Sequence, residues 1–504
     1  MQTPRIVLAV DRSIGRLYAA LTDPARRERT MLLALAVYLL LWTIYGTIAK
    51  SSQGLHADMT EQIAWSRDLA WGYKHPPFAA FVVWLWFSVF PLAEWSYYLL
   101  AVLMPTLALW IVWRLSADYL DSGKRVIGVA LLMLVPFFNV HALKFNVNTV
   151  LIPLWAATIL CFLRSYRSHS TFYAALAGIA AAASMLGKYW SIFLLAGLAL
   201  AALIDKRRAS YFRSPAPWVT VLVGAVAMAP HLVWLYQNHF APFGYVAAAH
   251  GEKGWASIAV SVLSYLAGAA GYVAIPVIAL LVAARARMPT IRDMIWPADD
   301  DRRLAAASFW GPLLLPAVGA MASGTELTSL WSMPAWTLLP LLLLSPPQIT
   351  LSAIDARRII AASIALPLVL LIASPVVAVI AQRNGPPPAA AQGDLLAAEV
   401  ERLWRETTPQ PLRFVGGDVD LADTVITYAV DRPRALTDMP QPPAAELARS
   451  GMAIVCFAED DSCRRDATAR AAAGRRVETE IVRNFLRLPG KPQRYTIFIV
   501  PPRL

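Results

Sequence analysis

Asp58 and Glu61 are the residues of this chain whose type and spacing most directly suggest chemistry. They lie in a polar stretch, residues 58–77, that directly follows the first long apolar run. Charges between hydrophobic runs are costly near lipid, so they usually face water, protein or a reacting polar group. If Asp58 caps a short helix, both carboxylates lie near its start, where the helix dipole favours negative charge. A carboxylate in that position could deprotonate an acceptor hydroxyl.

A basic pair, Lys74 and His75, follows in the same stretch. Residues 72–73 are predicted to end the helix, and the two prolines at residues 76–77 block its continuation. The pair could bind phosphate, or it could contact lipid headgroups as interfacial basic residues commonly do. Beside two carboxylates, a cation has a further use, because it can neutralise the charge that develops on a departing phosphate.

The composition indicates that this stretch is held by an integral membrane protein. Of 504 residues, 58% are hydrophobic and only 15% are charged, unlike a soluble domain. The net charge of +12 does not indicate nucleic-acid binding, because the basic residues cluster between apolar runs as orientation signals do. A ~20-residue criterion predicts about eleven transmembrane helices. They start near Met31, Ser96, Val126, Thr149, Phe172, Tyr189, Trp218, Ile258, Leu304, Trp331 and Ile359.

Basic residues in alternate short loops predict the orientation. They are denser in the loops that lie on the same side as the N-terminus, which indicates a cytoplasmic N-terminus. An odd number of spans then places residues 58–77, and the chain after Arg383, outside the cytoplasm. The expected location is therefore the inner membrane of a bacterium, with a periplasmic C-terminal domain.

The composition also predicts the domain organisation. We expect a cytoplasmic segment at residues 1–30, a transmembrane domain at 31–383 and a first periplasmic loop at 50–95. Phe78–Phe90 is too short to span and is predicted to be an interfacial helix. A proline-rich linker at 384–393 precedes a small α/β domain at 394–504. In an oxidising periplasm Cys456 and Cys463 could form a disulfide, which their spacing alone does not decide.

Further polar residues lie at the predicted outer ends of later spans. Each alone is typical of an interfacial anchor, but together they gather on the membrane face that carries Asp58. Lys188 is the most unusual, since a lysine in so apolar a stretch costs roughly 2.5–3.5 kcal/mol on insertion. The set comprises Lys144, Asn146, Asn148, Lys188, Tyr189, His231, Asn238, His239, His250, Glu252, Lys253, Glu326 and Trp331.

The sequence contains no spacing typical of a metal site, no Walker A loop and no GxSxG elbow. Nucleotide hydrolysis and serine-esterase chemistry therefore have no support, and no cofactor is expected with certainty. A divalent cation that bridges Asp58, Glu61 and a phosphate is an open alternative.

The order of these motifs resembles that of a known family. DMTE at 58–61 and GYKHPP at 72–77, after a first span, resemble the first outer loop of GT-C-fold membrane glycosyltransferases. The group is the one related to protein mannosyltransferases and to lipid A aminoarabinose and galacturonic acid transferases (glycosyltransferase family 39/83-like). Four further landmarks, within residues 30–345, recur in order. They are KFNVNTVLIPLW at 144–155, LGKYWS at 186–191, PHLVWLYQNHF at 230–240 and TELTSLWSMPAW at 325–336.

The resemblance implies an all-α polytopic fold and transfer of a sugar from a polyprenyl-phosphate donor to a lipid or glycan acceptor, on the periplasmic face and with inversion. It makes Asp58 the catalytic base, while Glu61 is expected to orient the acceptor or to hold an ion. Residues expected at the donor phosphate are Lys74, His75, Lys144, Lys188 and Tyr189. Residues expected at the acceptor or sugar are Asn146, Asn148, His231, Glu326 and Trp331.

Other function classes stay open from the sequence alone. A transporter or lipid flippase would favour internal repeats and ionisable residues near mid-membrane, and neither is evident here. A non-catalytic envelope assembly protein would depend on its C-terminal domain and tolerate Asp58→Ala. A membrane polymerase or ligase that uses a diphosphate-linked donor is a further alternative within the enzymes.

Overall fold

The structure is a computed structural model, and its described residues form two compact units. The described residues are 5–244, 254–436, 442–471 and 474–503, with side chains from residue 11 onward. We call residues 1–43 and 99–371 the span unit, and residues 44–98 and 372–504 the loop–sheet unit. The chain passes between the two units inside three helices, which are α2 (Arg27–Ala49), α5 (Glu94–Ser116) and α16 (Ala353–Asn384).

Helices are the only regular secondary structure among the described residues of the span unit. Beside its parts of α2, α5 and α16, it contains 3₁₀ segments at Pro136–Phe138, Tyr189–Ser191 and Ser329–Leu338. Its other helices are α1 (Arg5–Thr22), α6 (Ser122–Met133), α7 (Val147–Ser168), α8 (Thr171–Gly187), α9 (Ile192–Ile204), α10 (Arg208–Arg213), α11 (Ala216–Gln237), α12 (Trp255–Ala283), α13 (Met288–Ile295), α14 (Asp300–Ser323) and α15 (Leu339–Leu344).

The structure places a helix at each of the eleven predicted span positions. Seven of these helices, by length and composition, are long and apolar enough to cross a membrane: α2, α5, α7, α11, α12, α14 and α16. Shorter apolar helices stand at Thr171–Gly187, Tyr189–Ile204 and Ser329–Leu344. The near-continuous apolar stretch across residues 174–203 is divided at Lys188, whose backbone is extended (φ −163°, ψ 137°). The multi-pass helical fold is therefore confirmed.

Glycines allow neighbouring spans to approach closely. A Cβ atom added at Gly178 of α8 would lie 2.5 Å from the Thr220 carbonyl oxygen of α11. At Gly197 of α9, it would lie 2.4 Å from Cδ of Pro312 in α14. Close backbone approach at small residues is a usual source of packing between helices in lipid. These two contacts fix α8 against α11 and α9 against α14.

The loop–sheet unit combines the first loop with the C-terminal domain. Its helices, beside its parts of α2, α5 and α16, are α3 (Ala57–Ser66), α4 (Phe78–Val89), α17 (Pro388–Ala391), α18 (Gly393–Thr407), α19 (Val419–Tyr428), α20 (Ala444–Ser450) and α21 (Asp461–Arg470). Its strands are β1 (Phe414–Gly417), β2 (Arg434–Ala435), β3 (Met452–Phe457), β4 (Arg475–Ile481), β5 (Asn484–Phe485), β6 (Leu488–Pro489) and β7 (Gln493–Val500).

Five strands form one mixed sheet in the order β2-β1-β3-β7-β4. Strand β1 pairs in parallel with β2 and β3, whereas β7 is antiparallel to both β3 and β4. The predicted α/β character of the C-terminal domain is confirmed. Strand β4 was not predicted, because it is an edge strand with four charged residues, only two apolar residues and no fully buried position.

A single hydrophobic core joins the first loop to the sheet. Trp65 and Tyr73 from the loop are 2% and 5% exposed, and they pack in one cluster with Trp404, Val455 and Ile497. We expected the first loop to belong to the transmembrane domain, yet its apolar residues are buried with the C-terminal domain. The reason is that α3 buries Ala64 and Trp65 in the same cluster as residues of the C-terminal domain.

Candidate active site

Helix α3 carries the two predicted catalytic carboxylates. Its N-cap is His56, whose Nδ1 accepts a hydrogen bond from the Asp58 backbone N–H at 3.1 Å. The prediction that Asp58 caps this helix was therefore wrong by two residues, because the His56 ring takes that role. Asp58 instead lies in the first turn, where the helix dipole still favours its negative charge.

Helix α3 is shorter than the sequence predicted. It ends at Ser66, and Leu69 adopts a left-handed backbone conformation with φ 46°, so residues 72–73 do not end it. The physical reason is that the two residues after Ser66, Arg67 and Asp68, form bonds with the C-terminal domain. Arg67 donates hydrogen bonds to the carbonyl oxygens of Pro433 and Ile426, and Asp68 pairs with Arg434 at 2.6 Å.

Lys74 and Glu61 form an ion pair inside the loop–sheet unit. Their side chains are only 20% and 17% exposed, so the pair is screened less than a surface pair. The Lys74 ammonium also lies 5.8 Å from the centre of the Trp65 ring. The structure thus brings together the acidic helix and the basic turn that the sequence placed thirteen residues apart.

An aromatic stack holds the basic turn against α3. The rings of Trp65 and Tyr73 are parallel with centroids 4.8 Å apart, and the Tyr73 hydroxyl donates to the Trp65 carbonyl oxygen. The backbone N–H of Tyr73 donates to the His75 carbonyl oxygen at 2.9 Å, which closes the turn. His75 lies edge-on to Trp65, 6.0 Å between centroids. Lys74 and His75 are therefore fixed on the carboxylate-bearing helix.

Tyr428 is a residue of this site region that the sequence did not reveal. Its hydroxyl accepts a hydrogen bond from the Leu55 backbone N–H at 2.7 Å and donates to Glu94 Oε1 at 2.8 Å. Leu55 immediately precedes His56, the cap of α3. Tyr428 lies 373 residues further along the chain than Leu55, and no local pattern could have connected them.

Two acidic residues lie at the start of α19, and one of them, Asp420, interacts electrostatically with Asp58 and Lys74. Asp418 caps α19 by accepting from the Leu421 N–H at 3.0 Å, and Asp420 lies in its first turn. Partial burial, followed by repulsion from Asp418 and Asp58, raises the pKa of Asp420, and Lys74 partly offsets this. Electrostatic coupling to Asp58 and Lys74 therefore places Asp420 at the edge of the candidate site.

The span unit brings a second group of predicted residues together. The Lys188 ammonium donates to Asn148 Oδ1 at 2.9 Å and lies 4.5 Å from the centre of the Trp331 ring. Trp190 packs against Trp331 with centroids 4.9 Å apart. The extended backbone of Lys188, between α8 and the following 3₁₀ turn, directs its side chain to these partners.

Tyr189 and His231 form a neighbouring pair in the span unit. The Tyr189 hydroxyl and His231 Nε2 are 2.8 Å apart, and His231 is 1% exposed. Their ring centroids lie 5.7 Å apart, and the Phe243 ring stacks on Tyr189 with centroids 5.1 Å apart. This arrangement orients a buried imidazole and a phenol hydroxyl beside the residue that follows Lys188.

The remaining predicted residues have other observed roles. Asn146 caps α7 by accepting from the N–H groups of Asn148 and Thr149, and the Lys144 carbonyl oxygen accepts from the Thr149 hydroxyl. Glu326 Oε1 accepts from the Ser257 hydroxyl at 2.8 Å. His250, Glu252 and Lys253 lie outside the described residues.

No described group of three or more His, Cys, Asp or Glu side chains is placed to hold a metal ion. Elsewhere in the span unit, an apolar cavity of about 370 Å³ lies between α12, α13, α14 and α15. Its lining includes Val273, Leu281, Trp310, Leu313 and Leu343. Such a lining suits a hydrocarbon chain rather than a polar group.

Parts of the chain are similar in sequence to known glycosyltransferases. Residues 74–234 match the family described as dolichyl-phosphate-mannose-protein mannosyltransferase. The chain is 29% identical over 225 residues to the lipopolysaccharide core galacturonosyltransferase RgtB of Rhizobium johnstonii. That alignment covers 43% of this chain and 44% of RgtB, so the chain matches less than half of its curated relative.

Two solved structures of ArnT from Cupriavidus metallidurans are similar over nearly the whole chain. The apo structure superposes with a TM-score of 0.61, and the structure bound to undecaprenyl phosphate with 0.59. Each covers 93% of this chain and 97% of the ArnT chain, at 14% sequence identity. The chain therefore has the GT-C fold of ArnT, and the resemblance to GT-C-fold glycosyltransferases that the motifs indicated is confirmed.

Proposed function

We propose that this protein is a membrane glycosyltransferase that moves a hexosyl or pentosyl group from a polyprenyl-phosphate donor to a lipid or glycan acceptor of the cell envelope. The observation that carries the proposal is the Asp58–Glu61 helix, held against Lys74 within an ArnT-like fold. The similarity to a galacturonosyltransferase and the undecaprenyl phosphate bound in one ArnT structure support this donor class.

Asp58 is the general base of the proposed reaction. Its side chain is 35% exposed, so an acceptor hydroxyl can reach it, and the first-turn position favours its ionised form. Asp58 takes the hydroxyl proton while the acceptor oxygen attacks the anomeric carbon. The bond from that carbon to the phosphate oxygen breaks, and polyprenyl phosphate leaves with the electron pair. Attack opposite the leaving group inverts the anomeric centre.

Cations would stabilise the leaving phosphate. Lys74 and His75 stand on the same loop as Asp58, and Lys74 already pairs with Glu61. Fixed positive charges of this kind stabilise the developing charge of a transition state without reorganisation. Lys144, Lys188 and Tyr189 of the span unit are also proposed as donor-phosphate ligands. A divalent cation bridging Asp58, Glu61 and phosphate is the alternative way to supply that charge.

Acceptor and sugar recognition are assigned to polar and aromatic groups of the span unit. Asn148 and Trp331, which contact Lys188, and His231, which contacts Tyr189, offer polar groups beside ring faces, a combination that suits sugar rings. Asn146 and Glu326 are proposed to take part from the adjoining loops. The apolar cavity between α12 and α15 is the proposed place for part of the polyprenyl chain.

The proposed location is the bacterial inner membrane, with the N-terminus in the cytoplasm and the C-terminal domain in the periplasm. Basic residues in alternate loops support this orientation. The C-terminal domain also contains a disulfide between Cys456 and Cys463, with Cα atoms 5.8 Å apart. Disulfides persist in oxidising compartments such as the periplasm, so the bond agrees with this orientation.

The test is consumption of lipid-linked sugar by membranes that contain the wild type or Asp58→Asn at matched abundance. We expect the variant to lose about 10²–10⁴-fold in turnover, the usual contribution of a general base. Asp466→Asn, an exposed carboxylate on α21, is the matched control and should keep full turnover. Equal turnover by Asp58→Asn would reject this base and move the role to Glu61. Absence of turnover by the wild type across a broad donor panel would favour the transporter alternative.

A further inference from the structure

A cavity of about 250 Å³, lined by both polar and apolar groups, lies in the loop–sheet unit, where α16 ends. It is bounded by the last turn of α16, the segment around α17, and the chain that connects β4 to β7. Its volume is close to the roughly 300 Å³ at which small-molecule sites begin. Its polar lining residues are Gln382, Asn384, Gln392, Arg483, Lys491 and Gln493.

Hydrogen bonds fix the walls of this cavity. Gln382 is 1% exposed, and its Nε2 donates to the carbonyl oxygens of Arg483 at 2.8 Å and Leu488 at 3.1 Å. The Arg483 guanidinium donates to the Ala391 carbonyl oxygen at 2.9 Å and also pairs with Asp394. The two Gln382 hydrogen bonds thus attach the β5–β6 hairpin to the end of α16. The cavity is therefore formed before any ligand binds.

Glycines at two positions allow this close packing. Gly490 has no side chain, and a Cβ atom there would lie 2.9 Å from Gln382 Nε2. Gly385 has φ +82°, a conformation that residues with a side chain rarely adopt, and it faces the Lys491 side chain. The backbone therefore comes near enough to Gln382 and Lys491 to form a small cavity, bounded on one side by the exposed lysine.

Gln392 supplies the observation that points to a ligand. It is 2% exposed, and its Nε2 donates to the Lys491 carbonyl oxygen at 3.4 Å. Its Oε1 is buried and has no hydrogen-bond partner among the described residues. A buried acceptor without a donor is unfavourable, and a hydroxyl group bound in the cavity would satisfy it.

The charge of the cavity selects an anionic ligand. Asp394 balances Arg483, whereas the described residues provide no ion-pair partner for the Lys491 ammonium. The lining therefore carries a net positive charge beside amide groups that can both donate and accept. Carboxylates and phosphates match the ammonium, and ring hydroxyls match the amides.

We propose that this cavity binds an anionic sugar residue, one that carries a carboxylate or a phosphate, of the acceptor glycan. That the bound sugar belongs to the acceptor rests on the proposed function, whereas the binding of an anionic sugar does not. Gln382 and Asn384 are the last residues of a candidate membrane span, so the cavity lies at the level where the headgroup of a lipid-linked glycan would stand.

Saturation-transfer NMR on the full-length protein in neutral-lipid nanodiscs tests the binding. The probes are glucuronate and glucose 6-phosphate, with glucose as the uncharged match and inorganic phosphate as the free anion. We expect both anionic sugars to bind at least ten-fold more tightly than glucose or phosphate. Phosphate binding as tight as that of the sugars would overturn the sugar assignment and leave a simple anion site.

Variants of the cavity connect that binding to its residues. Gln392→Met keeps the side-chain length and removes the amide, and Lys491→Met removes an exposed charge without disturbing the core. Each should weaken glucuronate binding at least ten-fold, while the control Arg465→Gln on α21 should not change it. Unchanged binding by Lys491→Met, which does not depend on core packing, would overturn the proposal.

Turnover separates this proposal from the proposed function. Asp58→Asn should bind glucuronate as the wild type does, even if transfer is lost. In an active preparation, Lys491→Met should raise the acceptor KM at least five-fold and leave kcat within two-fold. An unchanged acceptor KM, with sugar binding intact, would reject the acceptor assignment. If no transfer is found at all, the binding measurements alone still decide whether the cavity is a sugar site.

Discussion

At the residue scale, Glu61 and Lys74 show how a charge pair can shape a membrane-surface site. Both side chains are mostly buried, and removal of either one takes away the charge that pairs with the other in this ion pair. Breaking such a pair costs more than the pair itself contributes, because the remaining charge has lost its hydration. The pair therefore fixes the basic turn on α3 and keeps Lys74 near Asp58.

We predict energetic coupling between these two residues. Glu61→Gln and Lys74→Met should each lower the free energy of unfolding, and the double variant should lose less than the sum. The coupling should be on the order of 0.5–3 kcal/mol, measured by a double-mutant cycle on thermal unfolding. The exposed Glu459–Arg494 pair, with side chains 58% and 65% exposed, is the control, with an expected coupling of about 0.2–1 kcal/mol. Additive losses at Glu61 and Lys74 would contradict the coupling.

Asp420 gives a pH-dependent prediction. Because its pKa in the folded protein is raised, the folded state holds its proton more tightly than the unfolded chain does. The ionised carboxylate therefore lowers stability at neutral pH, and that penalty disappears as the pH falls through the folded-state pKa. Asp420→Asn should raise Tm at pH 7, and the difference from the wild type should shrink toward acidic pH.

The difference in Tm between Asp420→Asn and the wild type should also depend on the salt concentration. The Asp420 side chain is only partly desolvated and stays accessible to solvent, so added salt should screen its repulsion from Asp418 and Asp58 and reduce the difference in Tm. Asp466→Asn, with an exposed carboxylate on α21, is the control and should show no pH-dependent gain. A difference in Tm that grows as the pH is lowered would contradict the assigned sign.

At the element scale, the C-terminal domain holds the helix that carries the proposed base. Helix α19 packs on α3, Arg67 bonds two carbonyl oxygens of the C-terminal domain, and Asp68 pairs with Arg434. Burial, followed by repulsion from Arg432, lowers the pKa of Arg67 to about 10, which still leaves it charged at neutral pH. The domain therefore acts on the site through the position of α3.

Tyr428→Phe tests that positioning. Removal of its hydroxyl leaves the Leu55 N–H and Glu94 without this partner, which should cost roughly 1–3 kcal/mol of unfolding free energy. Small displacement of a catalytic group can cost about 10²-fold in rate, so we expect kcat to fall about ten-fold or more with acceptor KM within two-fold. Steady-state kinetics and thermal unfolding measure both effects.

The matched control for this change is Tyr236→Phe, at an exposed position of α11. It should leave both Tm and kcat near their wild-type values. A loss of Tm in Tyr428→Phe with unchanged kcat would show that the hydroxyl supports folding only. That result would remove the proposed link between the C-terminal domain and catalysis.

At the scale of the whole molecule, the disulfide and the orientation make one joint prediction. If the C-terminal domain is periplasmic, Cys456 and Cys463 should resist alkylation in unfolded protein until a reductant is added, whereas Cys161 should react once unfolded. The closed loop is short, so loss of the bond in Cys463→Ser should cost about 2.5 kcal/mol of domain stability. Mass spectrometry after differential alkylation measures the pairing.

Protease digestion of spheroplasts checks the orientation independently. Protease added outside should cut the C-terminal domain, while the N-terminal segment should stay protected until the membrane is lysed. A protected C-terminal domain, with Cys456 and Cys463 found reduced, would reverse the proposed orientation. Cys161 is buried in α7 and serves as the internal reference for complete unfolding.

The sequence by itself determined the features that local pattern encodes. Long apolar runs predicted the spans, since hydropathy over ~20 residues suffices for a membrane helix. The three-residue spacing of Asp58 and Glu61 predicted neighbouring carboxylates on one helix, and α3 has them. The composition after the linker predicted a small α/β domain, and its central strands β1, β3 and β7 are short, almost continuously buried runs.

Only the tertiary structure decided which distant residues meet. Tyr428 reaches Leu55, Arg67 reaches Pro433, and Lys188 reaches Asn148, over 373, 366 and 40 residues of chain. Such contacts leave no periodic signal in the sequence, because they depend on how finished helices and strands pack. The cap at His56 and the early end of α3 belong to the same class. At the two ends of α3, the His56 ring and the hydrogen bond from Arg67 to the C-terminal domain outweighed the local helix signals.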